Sequence, residues 1–107
     1  MPYQLDPDSE LPPHLVGLFL SAAPTHLEQV VIACAERDAE RARLAAHKLK
    51  GGLYAAGASA LAQDAEGLRA TLAKGDWFAV ARQLQAVRDD FARVVVALER
   101  RLRAGAG

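Results

Sequence analysis

Apolar residues recur along this chain at the spacing of a helix face, every third or fourth position, and nowhere alternate as they do in strands. Five such stripes follow one another, separated by Pro24, Asp38, Gly57 and Gly75. The connections between them are short, so neighbouring helices must run antiparallel. The pattern therefore predicts an all-α fold, an up-and-down antiparallel four-helix bundle with an additional short N-terminal helix.

The two N-terminal stripes lie on either side of Pro24. Thr25 and Glu28 have the spacing of a capping box, which predicts that a new helix begins there. The short first helix then ends before the proline. Its apolar positions are Leu15, Leu18, Phe19 and Ala22, and those of the next helix are Leu27, Val30, Val31 and Cys34.

Three longer stripes complete the bundle. Asp38 is predicted to cap the third helix, which Gly57 closes, and Gly75 and Asp76 separate the last two helices. The third stripe is Ala42, Ala45, Ala46, Leu49, Leu53 and Ala56, the fourth is Leu61, Ala65, Leu68 and Leu72, and the last runs from Trp77 to Leu102.

Length and composition narrow the class of protein. The 107 residues suffice for one domain, residues 1–107, whose core we expect at about 10–103 between loose termini. Thirteen Lys and Arg balance thirteen Asp and Glu, which gives no reason to expect nucleic acid or direct membrane contact. The single Cys34 excludes an internal disulfide, and no apolar run reaches the roughly 18 residues that span a membrane.

His47 is the candidate for chemistry. At about 100° per residue it lies about 160° from Leu49, the centre of the buried stripe on its helix. An imidazole that the core does not need is free to act as a nucleophile. Its face of the helix also carries Arg43, Leu44, Lys50, Gly51 and Tyr54.

The neighbours of His47 favour a phosphoryl group as its ligand. Gly51, one turn later, is about 0.8–1.0 kcal/mol less favourable than alanine in a helix, and its missing side chain clears the approach to the ring. Lys50 at i+3 brings an ammonium group near any anion on the ring, and Arg43 at i−4 adds a second cation. The site is too open for catalysis that needs a dry pocket.

The run His47-Lys48-Leu49-Lys50-Gly51 resembles the signature of histidine-containing phosphotransfer (HPt) domains of bacterial phosphorelays. In that signature a histidine is followed by any residue, an aliphatic residue, lysine and glycine, with a second glycine ten positions after the histidine, here Gly57. The resemblance covers nearly the whole chain. It includes Leu18-Phe19-Leu20, Ala45-Ala46 and Gly75-Asp76-Trp77.

The resemblance implies that His47 accepts a phosphoryl group from the aspartyl phosphate of a receiver domain and passes it to another receiver. It implies that Lys50 balances the phosphate charge and that Gly51 gives clearance. Receiver domains and a hybrid sensor histidine kinase are the expected partners, and magnesium would come from the receiver, so no metal or cofactor of the chain's own is expected. We expect a cytoplasmic monomer, either standing alone or forming the cytoplasmic C-terminal domain of a membrane-bound hybrid kinase.

Arg69 departs from the family pattern. Several members have Gln or Glu at this position, which accepts a hydrogen bond from the second ring nitrogen, and arginine has no acceptor. We therefore expect Arg69 to contact the phosphoryl group, while Glu66 or a water molecule orients the ring.

A docking surface for the receiver is expected around His47. Leu44 and Tyr54, with Val16 and Leu20 of the first helix, would form an exposed apolar patch, and the partner-binding set includes Arg43 and Arg69. Alternatively, Leu44 and Tyr54 are incidental exposed residues.

Two other functions compete with phosphotransfer. One is a helical module that binds a receiver or another regulator without phosphotransfer, although the presence of both His47 and Lys50 argues against it. The other is an enzyme with its own pocket. No paired carboxylates and no Ser–His or Cys–His arrangement can be placed near His47 to support that reading.

Overall fold

The computed structural model describes residues 3–6 and 11–106, which form four helices and no strand. In chain order the helices are α1 (Pro13–Ala35), α2 (Ala39–Ala55), α3 (Ser59–Lys74) and α4 (Trp77–Ala106). Helices α1 and α3 each pack against both α2 and α4, so that α2 and α4 are diagonally opposite. This arrangement confirms the predicted all-α helical bundle.

Tight turns with left-handed residues connect the helices. Arg37 (φ 56°) and Gly57 (φ 77°) lie two residues after the ends of α1 and α2, while Gly75 (φ 74°) directly follows α3. The carboxylate of Asp38 accepts a hydrogen bond from the backbone N–H of Arg41 at 3.1 Å, which confirms the predicted cap of α2.

The predicted break at Pro24, and with it the additional short N-terminal helix, is wrong. Helix α1 continues through Pro24, and Thr25 is an exposed interior residue rather than a cap. A proline inside a helix costs about 3 kcal/mol. Full burial of a single Val or Phe gains about 1.5–3 kcal/mol, and several such residues are buried along α1. The buried stripe keeps its helical spacing across the proline: Val16, Phe19, Ala23, Val30 and Ala33.

The core consists of two clusters stacked along the bundle. One joins the first half of α1 to the end of α2, the start of α3 and the second half of α4, around Leu53. The other joins the remaining halves around Leu68. Ala46 belongs to the second cluster and Leu49 to the first, so His47 lies on α2 at the level where the two clusters meet.

The termini differ from the loose tails expected from the sequence. Tyr3 packs against the core, and its hydroxyl accepts a hydrogen bond from the backbone N–H of Leu61 at 2.7 Å. The backbone N–H of Asp6 donates to the carbonyl of Gly57, and Ser59 Oγ donates to the Asp6 carboxylate. Residues 3–6 thus tie down the start of α3, where no residue of the helix supplies a side-chain cap. Helix α4 continues to Ala106, and residues 1, 2 and 107 lie outside the described part.

By length and composition alone, α1 is long and apolar enough to cross a membrane. No membrane-spanning run was expected from the sequence, because polar residues interrupt the apolar ones. Core helices of soluble proteins and N-terminal signal sequences can be equally long and apolar, so the support for a span is weak. Only 22% of this apolar stretch is buried, and the exposed residues of α1 include Leu15, Leu18 and Ile32.

Candidate functional site

His47 is exposed near the middle of α2, and the residues on the opposite face of the helix are buried. The predicted stripe is buried throughout: Ala42, Ala45, Ala46, Leu49, Leu53 and Ala56. The core therefore holds the backbone of α2 rigidly while the imidazole stays outside it. This confirms the predicted orientation of His47.

The antiparallel register of α2 and α3 brings Arg69 opposite His47. Lys50 Nζ lies 3.0 Å from Glu66 Oε2, and this ion pair marks the register in which the two helices pack. His47 precedes Lys50 by three residues on α2, and Arg69 follows Glu66 by three residues on the antiparallel α3. Both line a groove of about 340 Å³ between the helices, together with Glu40, Arg43 and Leu44.

Glu66 holds two cations beside this groove. Its Oε2 atom accepts hydrogen bonds from Lys50 Nζ at 3.0 Å and from Arg69 NH1 at 2.7 Å. The hydrogen bond from Lys50, followed by that from Arg69, lowers the pKa of the Glu66 carboxyl group below its ordinary value. The carboxylate therefore stays ionised at neutral pH.

The charges around His47 leave an excess of cations. Arg43 forms no ion pair with any side chain in the described ranges, in contrast to Lys50 and Arg69. Three cationic side chains thus face the carboxylates of Glu40 and Glu66. Such a balance attracts an anion that forms on the ring.

No group in residues 3–6 and 11–106 forms a hydrogen bond with the His47 ring. Arg69 has no acceptor to offer, and Glu66 Oε2 is already engaged by the two cations. The expectation that Glu66 or a water molecule orients the ring therefore stays a prediction. The bridging position of Glu66 was not foreseen, because it depends on the register between two helices.

The two glycines after His47 have different surroundings. A Cβ atom built on Gly51 would meet nothing within 4 Å, whereas one on Gly52 would lie 3.8 Å from Phe19 Cδ2. Gly51 is exposed on the face of His47, and Gly52 is turned towards α1. The free space at Gly51 fits the predicted clearance beside the ring.

The apolar surface beside His47 is only partly the one predicted. Leu44 and Tyr54 are 59% and 47% exposed. Val16, which was expected to be exposed, is only 1% exposed and belongs to the core, and Leu20 is half-buried against it. Both expectations were wrong, because α1 is rotated so that Val16 rather than Leu15 faces inward.

Helix α1 presents other apolar residues instead. Leu15 and Leu18 are 41% and 61% exposed and line an apolar groove of about 310 Å³ between α1 and α2. Lys48 and Gly52 form part of its wall on α2. Leu15 and Leu18 were expected in the core stripe, because α1 is apolar around much of its circumference and its periodicity does not identify the inner face.

Across the described ranges, no group of three or more His, Cys, Asp or Glu side chains is placed to hold a metal ion. Cys34 is partly buried, and burial raises the pKa of its thiol, which keeps it protonated at neutral pH.

An exposed histidine on a helical bundle, beside a groove with arginine side chains, has the geometry expected of a carrier protein, which holds a group on an exposed side chain for a partner. The particular family follows from comparison with known proteins: the chain belongs to the Hpt domain family, whose model matches residues 14–103. Searches of curated proteins and of solved structures found no match.

Membership of this family confirms the resemblance drawn from the sequence. Hpt domains transfer phosphoryl groups through histidine in phosphorelays, act as phosphocarriers rather than enzymes, and interact with response-regulator receiver domains. These statements hold for this chain as a member of the family.

Proposed function

We propose that His47 accepts a phosphoryl group from an aspartyl phosphate of one receiver domain and passes it to a second receiver. The observation that carries this proposal is the exposed imidazole of His47, which stands over a cation-lined groove on a helix whose other face is fixed in the core. The exposed ring can enter a partner's active site without any rearrangement of the bundle.

In the transfer step, the lone pair of His47 Nε2 attacks the phosphorus atom of the aspartyl phosphate. The new N–P bond forms as the P–O bond to the aspartate breaks, and the carboxylate leaves with that electron pair. The return step to the second receiver reverses these changes. The chain itself supplies the nucleophile, and the receiver supplies magnesium and most of the stabilisation of the transition state, so no cofactor of its own takes part.

Two neighbours of His47 support the transfer. Lys50 lies one turn further along α2 and balances the negative charge of the bound phosphoryl group. Gly51 leaves open space beside the ring for the receiver. Both roles are consistent with the exposed, uncrowded position of the imidazole.

The receiver docks on the apolar and cationic surface around His47. Leu44 and Tyr54 provide exposed apolar area, and Arg43 and Arg69 provide positive charge towards an acidic partner site. Leu15 and Leu18 extend this surface onto α1, where Leu20 contributes only its exposed part and the buried Val16 contributes none. We propose that the domain works as a cytoplasmic monomer, with a hybrid sensor histidine kinase upstream.

The test is incubation of the protein with a phosphorylated receiver and Mg²⁺. We expect a base-stable, acid-labile phosphoryl group on the wild type and none on His47→Gln. His14→Gln is the matched control, because His14 is also an exposed histidine but lies on α1, and this variant should be labelled normally.

Equal labelling of wild type and His47→Gln would exclude His47 as the acceptor. If the protein binds the receiver but takes up no label from any phosphorylated receiver supplied, the alternative of a binding module without phosphotransfer is correct.

A further inference from the structure

We infer that Glu66 is an exchangeable counterion: its carboxylate holds Lys50 and Arg69 while His47 is free, and the phosphoryl group on His47 takes these two cations over. The inference rests on the proposed phosphorylation of His47. It adds a residue on α3 that sets how strongly the domain retains its phosphoryl group.

The contacts of Glu66 give the first reason. A single oxygen atom, Oε2, accepts hydrogen bonds from both Lys50 and Arg69, at 3.0 and 2.7 Å. The side chains of Lys50 and Arg69 are 22% and 25% exposed, but that of Glu66 is 50% exposed, so water competes for the shared carboxylate and weakens both ion pairs. The two cations are therefore held in place but are not tightly bound.

The positions of the cations give the second reason. Lys50 follows His47 by one turn of α2, a rise of about 5.4 Å, and Arg69 lines the groove of His47 from α3. The buried Nε atom of Arg69 has no hydrogen-bond partner in the described part of the chain. One donor of the guanidinium group is thus unused while His47 is unphosphorylated.

The chemistry of the incoming group gives the third reason. A phosphoryl group carries close to two negative charges near neutral pH and offers three acceptor oxygens, whereas Glu66 offers one charge and one engaged oxygen. Guanidinium and phosphate also match in the geometry of their paired hydrogen bonds. Arg69 cannot accept a hydrogen bond from the neutral ring, but it is suited to donate to the phosphorylated one.

The experiment measures the equilibrium distribution of label between receiver and carrier for four proteins. Arg69→Gln removes one of the shared cations and should lower the fraction on His47 about two- to fivefold, the range of one exposed charge pair. Glu66→Gln removes the competing anion and should raise that fraction by a similar factor. Arg93→Gln is the control, because it breaks a comparable ion pair with Asp90 on α4, and should match the wild type.

A second measurement separates a direct contact from a change in the fold. In ³¹P NMR titrations of the phosphorylated proteins, the second pKa of the phosphoryl group should rise in Arg69→Gln and fall in Glu66→Gln. When Glu66→Gln is combined with Arg69→Gln, it should lower the phosphoryl pKa by less than it does alone, because one of the two cations that it would release is missing.

The outcomes for the inference and for the proposed function are distinct. If none of the four proteins accepts label, both the proposed function and the inference fail. If all accept label but Arg69→Gln and Glu66→Gln leave the equilibrium and the phosphoryl pKa at wild-type values, only the exchange is wrong. Shifts of the same sign in both variants would also overturn it, since loss of a cation and loss of an anion must act in opposite directions.

Discussion

Replacing Gly51 by alanine is expected to make the bundle more stable and the carrier slower. Gly51 lies inside α2, is exposed, and has open space where a Cβ atom would stand. Alanine at such a helix position is favoured over glycine by about 0.8–1.0 kcal/mol. At an unfolding entropy of about 2.1 cal/mol/K per residue, that gain corresponds to a rise in Tm of about 4 °C for 107 residues. A glycine that lowers stability without any steric need within the bundle points to a need at its surface.

The expected loss of transfer follows from the same geometry. A side chain at Gly51 stands one turn after His47 on the exposed face and tilts towards the ring, so it occupies space that the incoming receiver needs beside the imidazole. A displacement of the reacting groups by about 1 Å can slow a reaction on the order of 100-fold. We expect the rate to fall moderately in Gly51→Ala and by about tenfold or more in the longer Gly51→Gln.

Gly67→Ala is the matched control for this experiment. Gly67 is an exposed interior glycine of α3, where an added methyl group would also meet nothing within 4 Å, and it lies about 200° around the helix from Arg69. It should raise Tm to a similar extent and leave transfer unchanged. Stopped-flow transfer rates and thermal unfolding test both parts. Wild-type transfer by Gly51→Gln would refute the clearance argument, and equal slowing by Gly67→Ala would show that rigidity, not clearance, controls the rate.

Two further predictions concern the scaffold. Arg37 has a left-handed backbone (φ 56°), and its guanidinium group lies 5.7 Å from the centre of the Trp77 ring. Arg37→Gly and Arg37→Ala both lose that contact, but only the alanine variant keeps the backbone strain, so the glycine variant should be about 1 kcal/mol more stable in urea unfolding. Equal unfolding midpoints for the two variants would contradict this. Burial raises the pKa of the Tyr3 phenol above 10.0, so the unfolded chain ionises first and the free energy of unfolding should fall as the pH rises through that value. Tyr3→Phe should lose this dependence on alkaline pH. Because phenylalanine has no oxygen to accept the hydrogen bond from the Leu61 N–H, the variant should also be about 1 kcal/mol less stable at neutral pH. If the free energies of unfolding of wild type and Tyr3→Phe differ by the same amount from pH 8 to about pH 11, the assignment is refuted.

The sequence was sufficient for the features that depend on a single helix. The stripe around Leu49 predicted which face of α2 is buried, because alanine and leucine recur there at helical spacing while the charged residues of the helix lie elsewhere. Asp38 and Gly57 predicted the ends of α2, since a cap and a left-handed residue act within one turn. The exposure of His47 follows from these local features alone.

Features that depend on competition or on distant contacts were not predictable. The continuity of α1 depends on whether burial outweighs the effect of Pro24, which local patterns do not reveal. The exchange of roles between Val16 and Leu15 has a related cause, because a helix that is apolar on most sides has no unique inner face. The contact of Tyr3 with Leu61 joins residues far apart in the chain.

The pairing of Glu66 with two cations bears on how a relay intermediate avoids holding its cargo too firmly. Cations that bind only the phosphorylated form shift the equilibrium towards it by their full binding free energy, and every 1.4 kcal/mol of such preference changes the distribution tenfold. In the proposed exchange Lys50 and Arg69 must first break their ion pairs with Glu66. Their preference for the phosphorylated form is therefore only the difference in free energy between binding the phosphoryl group and binding the carboxylate. The exchange therefore shifts the equilibrium towards the phosphorylated carrier by less than two free cations would, which favours release of the group to a second receiver. An arginine opposite His47 is compatible with a reversible carrier because a carboxylate one turn away competes for it.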